Sequence, residues 1–191
     1  MLHMKHVVLV LTLAIIAMAA VAAPGRISVG GSVGLQLPMG AFADSYGAGF
    51  GVHGSCVYNV CDDWELTGQF GWNHWGIKNT QSGVVSGGFT TLPLLVGARY
   101  VLQQGTLHMY GGLETGLHFS SASASVNGGV YGDLASSYSE TNLGLAPLAG
   151  ILVPITSTLN FDGNVRYNII FTSGSSTTYL GVNAGVSYPL P

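Results

Sequence analysis

Charge is what this sequence has least of. Only 7% of its 191 residues are Asp, Glu, Lys or Arg, against about a quarter in an ordinary soluble domain. With 5 Lys and Arg in all and a formal net charge of −3, nothing points to nucleic acid or to an electrostatic hold on anionic lipid. Beyond the N-terminal leader there is no apolar run of about eighteen residues, which excludes a transmembrane helix. No cysteine follows the leader's small residues closely, which argues against a lipoprotein anchor. Glycine is plentiful, at 29 residues, but without the triplet period of collagen.

What is present is apolar. Hydrophobic residues make up 48% of the chain, and mean hydropathy is +0.44. The first segment reads as a secretory signal: Lys5 is the basic start, Val7 to Met18 the apolar run, and Ala20-Val21-Ala22-Ala23 the cleavage region. Residues 1–23 are therefore expected to be a cleaved signal peptide, with one domain over 24–191. An exported chain this apolar, with no helix to span a bilayer, has one membrane architecture open to it: a closed barrel, in which every backbone polar group is paired.

Alternation of polarity supports this. In Thr158 to Ile170, Leu159, Phe161, Gly163, Val165, Tyr167 and Ile169 form one face. Asn160, Asp162, Asn164, Arg166 and Asn168 form the other, as successive strand residues must. The same two-residue period marks Arg26–Leu37, Ala48–Tyr58, Trp64–Trp75, Phe89–Val101, Leu107–Phe119, Asn142–Val153 and Thr177–Tyr188. Leu148 and Leu152 dilute the polar face of the sixth segment. Pro93, awkward inside a strand, suggests a local bulge. The expected architecture is all-β, an eight-stranded antiparallel up-and-down transmembrane barrel. Connections alternate long (38–47, 76–88, 120–141) and short (59–63, 103–106, 154–157), with 171–176 the shortest of the long set. Short periplasmic turns and longer external loops are the pattern of outer-membrane barrels.

Two features place lipid outside. Glu65, Arg99, Glu114, Asp162 and Arg166 all fall on the lumen parity, and no charge takes an outward strand position. A charge facing the bilayer midplane costs about 2–4 kcal/mol. The outward aromatics also fall at matching heights. Tyr58, Trp64, Tyr100 and Tyr188 lie at the periplasmic rim; Phe50, Trp72, Phe119 and Tyr167 lie toward the external one. Amphipathic rings at both headgroup levels are what a bilayer selects.

On these residues the chain resembles the outer-membrane protein β-barrel family, the small OmpA-type and OmpX-type barrels of Gram-negative bacteria. The carrying segments are VGGSVGLQLPMGAF, LPLLVGARY and NVRYNI, within a pattern that covers the mature chain. Gly181, Ala184, Val186 and Tyr188 resemble the family's C-terminal assembly signal, here extended by Pro189-Leu190-Pro191. The resemblance implies residence in the bacterial outer membrane and contact with its lipid and lipopolysaccharide. It also implies folding by the barrel-assembly machinery and possible surface ligands at the external loops.

The chemistry expected of the site is modest. Eight strands enclose a lumen that side chains just fill, so a polar, glycine-rich plug is expected, with Glu65, Arg99, Glu114, Asp162 and Arg166 paired as a structural network. His53, His74, His108 and His118 share no site; about 33 Å of strand separates the last two, so no metal or cofactor is expected. His118-Phe119-Ser120, with Glu140 beyond, resembles the His-x-Ser of lipid A deacylase barrels, but its lumen parity does not meet lipid. Palmitoyl-transferase barrels need an apolar lumen, which this is not. Cys56 and Cys61 bracket the first periplasmic turn, where a disulfide and free thiols are equally compatible with the sequence. The reading is a non-enzymatic barrel displaying external loops. The alternatives are a small porin-like channel, a lipid A-modifying enzyme, and a soluble ligand-binding barrel.

Overall fold

The computed structural model describes residues 26–78, 85–126, 134–172 and 174–191. The leader at 1–23 and Asp133 lie outside the described residues. The strands are β1 (Ile27–Met39), β2 (Gly49–Asn59), β3 (Trp64–Gly76), β4 (Val85–Gln104), β5 (Leu107–Val126), β6 (Leu134–Pro154), β7 (Asn160–Thr172) and β8 (Ser175–Pro189). One short helix, α1 (Ala41–Ser45), follows β1. Each strand pairs antiparallel with its sequence neighbours, and β8 returns to β1 to close an eight-stranded barrel. Closure sets Val29 opposite Tyr188 and Leu35 opposite Val182, so no edge is left within the barrel wall.

Alternation decides which way each side chain points. Val33 and Leu35 are each 60% exposed and Phe70 66%, whereas Leu95, one residue out of phase with its lipid-facing neighbours, is fully buried. Leu113 and Val165 face outward beside buried Glu114 and Arg166. A one-residue slip would turn every one of these over. At the short-connection end, Gly105 takes a φ of 63°, a left-handed conformation that allows the tight β4–β5 turn.

Four expectations need correction. The segment 120–141 is not a loop throughout. β5 continues to Val126 and β6 begins at Leu134, and they pair from Ser120 opposite Glu140 up to Val126 opposite Leu134. β4 joins them, with Val85 opposite Val126, so a three-stranded sheet rises above the barrel. Its Ser/Ala run lacks an apolar face because no lipid surrounds it, which is why it reads as loop. Second, Pro93 makes no bulge. The β3–β4 ladder lapses opposite Gly71 and Trp72 and then resumes in the same register, Phe70 to Leu94 below and Asn73 to Thr91 above. Proline removes one donor and inserts no residue. Third, 38–47 holds the end of β1 and the helix α1. Fourth, the lumen is not polar throughout. Leu148 and Leu152 turn inward and pack with Val101 and Tyr110.

Candidate functional site

The lumen is built in layers. At the external mouth Trp75, Ile170 and Tyr179 are buried together, and Phe42, Tyr46 and Phe89 pack on them. α1 carries Phe42 over the opening, its ring 5.3 Å from Trp75 and 5.2 Å from Phe89, both edge-on. The Trp75 indole N–H donates to the Gln36 carbonyl at 2.9 Å, so the buried indole is satisfied.

Beneath the cap lies a layer of amides. Gln36 Nε2 donates to Asn183 Oδ1 at 3.0 Å, and Asn183 Nδ2 donates to Asn164 Oδ1 at 3.0 Å. Asn164 in turn reaches Asp162 at 3.2 Å. Beside it, on β2 and β3, His53 Nε2 lies 2.9 Å from Asn73 Oδ1, and Asn73 Nδ2 donates to the Tyr179 hydroxyl.

The charged layer is deeper still. Glu65 and Arg99 are directly opposed in the β3–β4 register and form an ion pair at 2.5 Å. Arg99 also lies 3.8 Å from Asp162, and its guanidinium sits 4.2 Å over the Tyr110 ring. The Tyr110 hydroxyl donates to Asp162 at 2.5 Å. Arg166 pairs with Glu114 at 3.2 Å, and the Thr67 hydroxyl donates to the same carboxylate at 2.8 Å. The structure thus brings together all of Glu65, Arg99, Glu114, Asp162 and Arg166. Among them is a small cavity of about 30 Å³, lined by Thr67, Gln69, Arg99, Glu114, Asp162 and Arg166 among others. That is space on the scale of single water molecules. Below it, Val101, Tyr110, Leu148 and Leu152 close the periplasmic end.

Trp75 as a plug element and α1 as a cap escaped the sequence reading, while Gln36, Tyr110 and Tyr179 stood on the lumen face with no contacts assigned. Their signal was parity alone, since each falls on the lumen face of its strand. Glycines opposite them confirm the packing. A Cβ at Gly150 would collide with the hydroxyl end of the Tyr110 ring, and one at Gly51 would displace the Asn73 amide.

The other candidates stay apart. His118 is fully buried, with neither ring nitrogen hydrogen-bonded. Ser120 donates instead to Thr91 at 3.3 Å, while Glu140 accepts from the Tyr138 hydroxyl at 3.0 Å. That hydrogen bond to a carboxylate, in the sheet outside the membrane, raises the Tyr138 pKa. Cys56 and Cys61 are both exposed and unbridged. Among the described residues, no three His, Cys, Asp or Glu converge on one point.

Most of the outward aromatics sit near the strand ends, while Phe119 lies well inside β5. Trp64 and Tyr100 face each other across β3 and β4, ring centroids 5.4 Å apart. Tyr188 is exposed opposite Val29, and Tyr58 is half-buried opposite Ile27. Toward the other end Phe50 and Trp72 meet edge-on at 5.1 Å. Phe119 is exposed opposite Leu92, and Tyr167 is half-buried opposite Leu180.

Comparison with known proteins agrees with this architecture. The chain is similar in fold to Neisserial surface protein A, with a TM-score of 0.59 and 19% identity over 86% of this chain and 97% of that one. Ail, the attachment invasion locus protein of Yersinia pestis, superposes with a TM-score of 0.55 and 19% identity over 87% and 97%. A major outer membrane protein from Thermus thermophilus gives 0.59 and 13% over 88% and 100%. No curated protein sequence matches the chain. The model of the outer membrane protein beta-barrel domain matches residues 7–189, nearly the whole sequence. The chain therefore belongs to the outer membrane protein beta-barrel domain family and is an eight-stranded barrel of the bacterial outer membrane.

Proposed function

We propose that this barrel is a filled, non-enzymatic scaffold whose business lies at its external sheet. The observation that carries the reading is the lumen. An aromatic cap, an amide layer, a charged layer and an apolar floor follow one another, and the cavity among the charges holds about 30 Å³. A pore needs a continuous water path, and catalysis needs a nucleophile with its base within reach. The buried charges serve as internal braces: each acid has a basic or hydroxyl partner, as burial requires.

The leader at 1–23 is read as the export signal and the C-terminal strand as the part offered to the assembly machinery. Tyr58, Trp64, Tyr100 and Tyr188 mark the periplasmic headgroup level. Phe50, Trp72, Phe119 and Tyr167 mark the outer one, where lipopolysaccharide surrounds the wall.

Charge limits the partner. Ail has been captured with a heparin analogue, sucrose octasulfate. Here the cations are Lys5 in the leader, Arg26 at the short-connection end, buried Arg99 and Arg166, and Lys78. Lys78, the one left for the external side, donates to the Ala43 carbonyl at 2.7 Å. A single cation does not hold a polysulfate, so the surface does not suit a polyanion.

Planar-bilayer recording tests the filled barrel. The purified, folded protein is expected to give no single-channel steps. Steady conductance that survives removal of contaminating porins overturns the reading in favour of a small pore.

A further inference from the structure

The charges in the lumen do not balance. Within the barrel, among the described residues, the carboxylates of Glu65, Glu114 and Asp162 face only two guanidiniums, those of Arg99 and Arg166. Glu65 takes Arg99 at 2.5 Å and Glu114 takes Arg166 at 3.2 Å, so Asp162 is left with Arg99 at 3.8 Å. The Tyr110 hydroxyl and the Asn164 amide both donate to Asp162 Oδ1, which solvates the carboxylate but brings no charge to it. The buried histidines do not supply the missing charge either. An imidazolium donates from both nitrogens, whereas His53 Nδ1 and both nitrogens of His118 meet no acceptor. One surplus negative charge inside a tube ringed by hydrocarbon is costly unless a counter-charge lies beside it.

A place for that counter-charge is built next to Asp162. The small cavity among the charges is lined by Ser32, Ser55, Gln69, Glu114 and Asp162 together with the two arginines. Gln69 is only 6% exposed, yet its amide makes no hydrogen bond among the described residues. A buried amide without a partner bears the full penalty of its desolvation, which points to an occupant of the space it lines. Glu114 is 3% exposed; its Oε1 accepts from Thr67, while Oε2 accepts no hydrogen bond and meets only the Arg166 guanidinium. The cavity volume of about 30 Å³ has room for about two water-sized bodies.

We propose that this cavity binds one monovalent metal cation of sodium's size, held by Asp162, Glu114 and Gln69 as the counter-ion of the lumen. The donor set is all oxygen: two carboxylates, the Gln69 amide oxygen, and the hydroxyls of Ser32 and Ser55. Oxygen donors select hard cations over the later transition metals. The surplus selects the charge. A monovalent ion brings the lumen to neutrality, a divalent one overshoots, and chloride doubles the excess. Arg99 and Arg166 line the same cavity, but each is already held by a carboxylate, Glu65 and Glu114 respectively. Arg166 Nε, a buried donor with no partner, needs an acceptor in that space, and a water bound to the cation supplies one.

The full chain, folded in phosphatidylcholine vesicles, is unfolded with urea in sodium chloride or, at equal ionic strength, in N-methyl-D-glucamine chloride, whose cation is too large for the cavity. The urea midpoint is expected to be higher in sodium and to rise with its concentration to a plateau, as binding to the folded state alone requires. Asp162→Asn removes the surplus charge and is expected to give one midpoint in both salts. Gln69→Leu keeps the charge and removes a ligand, and is expected to raise the sodium concentration for half the effect roughly tenfold. Asp62→Asn, in the exposed turn after β2, leaves the sodium dependence unchanged. Equilibrium dialysis against radioactive sodium should count one ion per folded wild-type barrel. Every variant must keep heat-modifiable gel migration; should Asp162→Asn lose it, the dialysis count and Gln69→Leu decide. The proposal is overturned if the wild-type midpoint is the same in both salts, if the dialysis count is zero, or if the sodium dependence survives intact in Asp162→Asn or Gln69→Leu. A midpoint that falls with rising pH equally in both salts also overturns it, because a proton would then be balancing the charge. None of these readings turns on single-channel steps, so this inference and the filled-barrel reading fail separately.

Discussion

Glu65 and Arg99 stand directly opposite each other on β3 and β4, and their side chains meet at 2.5 Å inside the lumen. Each side chain is less than a tenth exposed, at 9% and 7%. A buried pair is costly to break and much less costly to remove entirely. Glu65→Leu alone leaves the Arg99 guanidinium with the longer contact to Asp162 and the face of the Tyr110 ring, and is expected to destabilise by about 3–5 kcal/mol. Glu65→Leu with Arg99→Leu is expected to cost clearly less than the single change. Urea unfolding in lipid vesicles, followed by tryptophan fluorescence, measures both. A double variant worse than the single one removes the brace interpretation.

Gly150 and Gly111 face opposite ways from neighbouring strands, which makes them a matched pair. A Cβ at Gly150 collides with the Tyr110 ring and hydroxyl, whereas at Gly111 the nearest atom is the Leu148 carbonyl at 4.0 Å. Gly150→Ala is expected to cost about 1–3 kcal/mol by overpacking. It also loosens the Tyr110 hydroxyl from Asp162. Gly111→Ala should be close to neutral. Equal effects in the same unfolding assay would mean that the inward packing of Tyr110 is misread.

Much of this was legible in the sequence, and the rest was not for identifiable reasons. Alternation placed Arg99, Glu114 and Arg166 on the lumen side because a two-residue period has only two faces. It said nothing of which lumen residues touch, since those contacts join strands far apart in the chain, as with Gln36 and Asn183. The apolar floor was hidden because Leu148 and Leu152 look like errors in a polar face until Val101 and Tyr110 are seen opposite them. The external sheet was hidden for the converse reason. Outside the bilayer neither face of Ser120 to Val126 has to be apolar, so the period that reveals a membrane strand fades.

Pro93 offers a test of how the ladder tolerates a missing donor. The β3–β4 pairing skips Gly71 and Trp72 but keeps register on both sides of the gap. Pro93→Val restores an N–H without changing the residue count. It is expected to raise stability by about 0.5–1.5 kcal/mol, the net worth of one hydrogen bond. Slowed amide exchange at residue 93 and a higher urea midpoint would be the signs. A lower midpoint would mean that the proline ring itself is needed where it packs.

The orientation of the whole tube is tested by moving one charge across the wall. Val165 is 44% exposed on the outside, near the middle of β7, while Asn164 beside it points inward to Asp162. In lipid, Val165→Lys puts an ammonium against hydrocarbon and is expected to cost about 2–4 kcal/mol near the midplane. Val29→Lys, opposite Tyr188 close to the periplasmic rim, should cost only about 0–1 kcal/mol, because depth sets the penalty. Asn164→Asp instead adds charge within the lumen, next to Asp162, and its cost should fall as pH drops and the added carboxylate takes a proton. These three changes give three different answers only if lipid lies outside and the ion pairs lie within. Indifference of the barrel to Val165→Lys, alongside strong sensitivity at Val29, would reverse the assignment of depth.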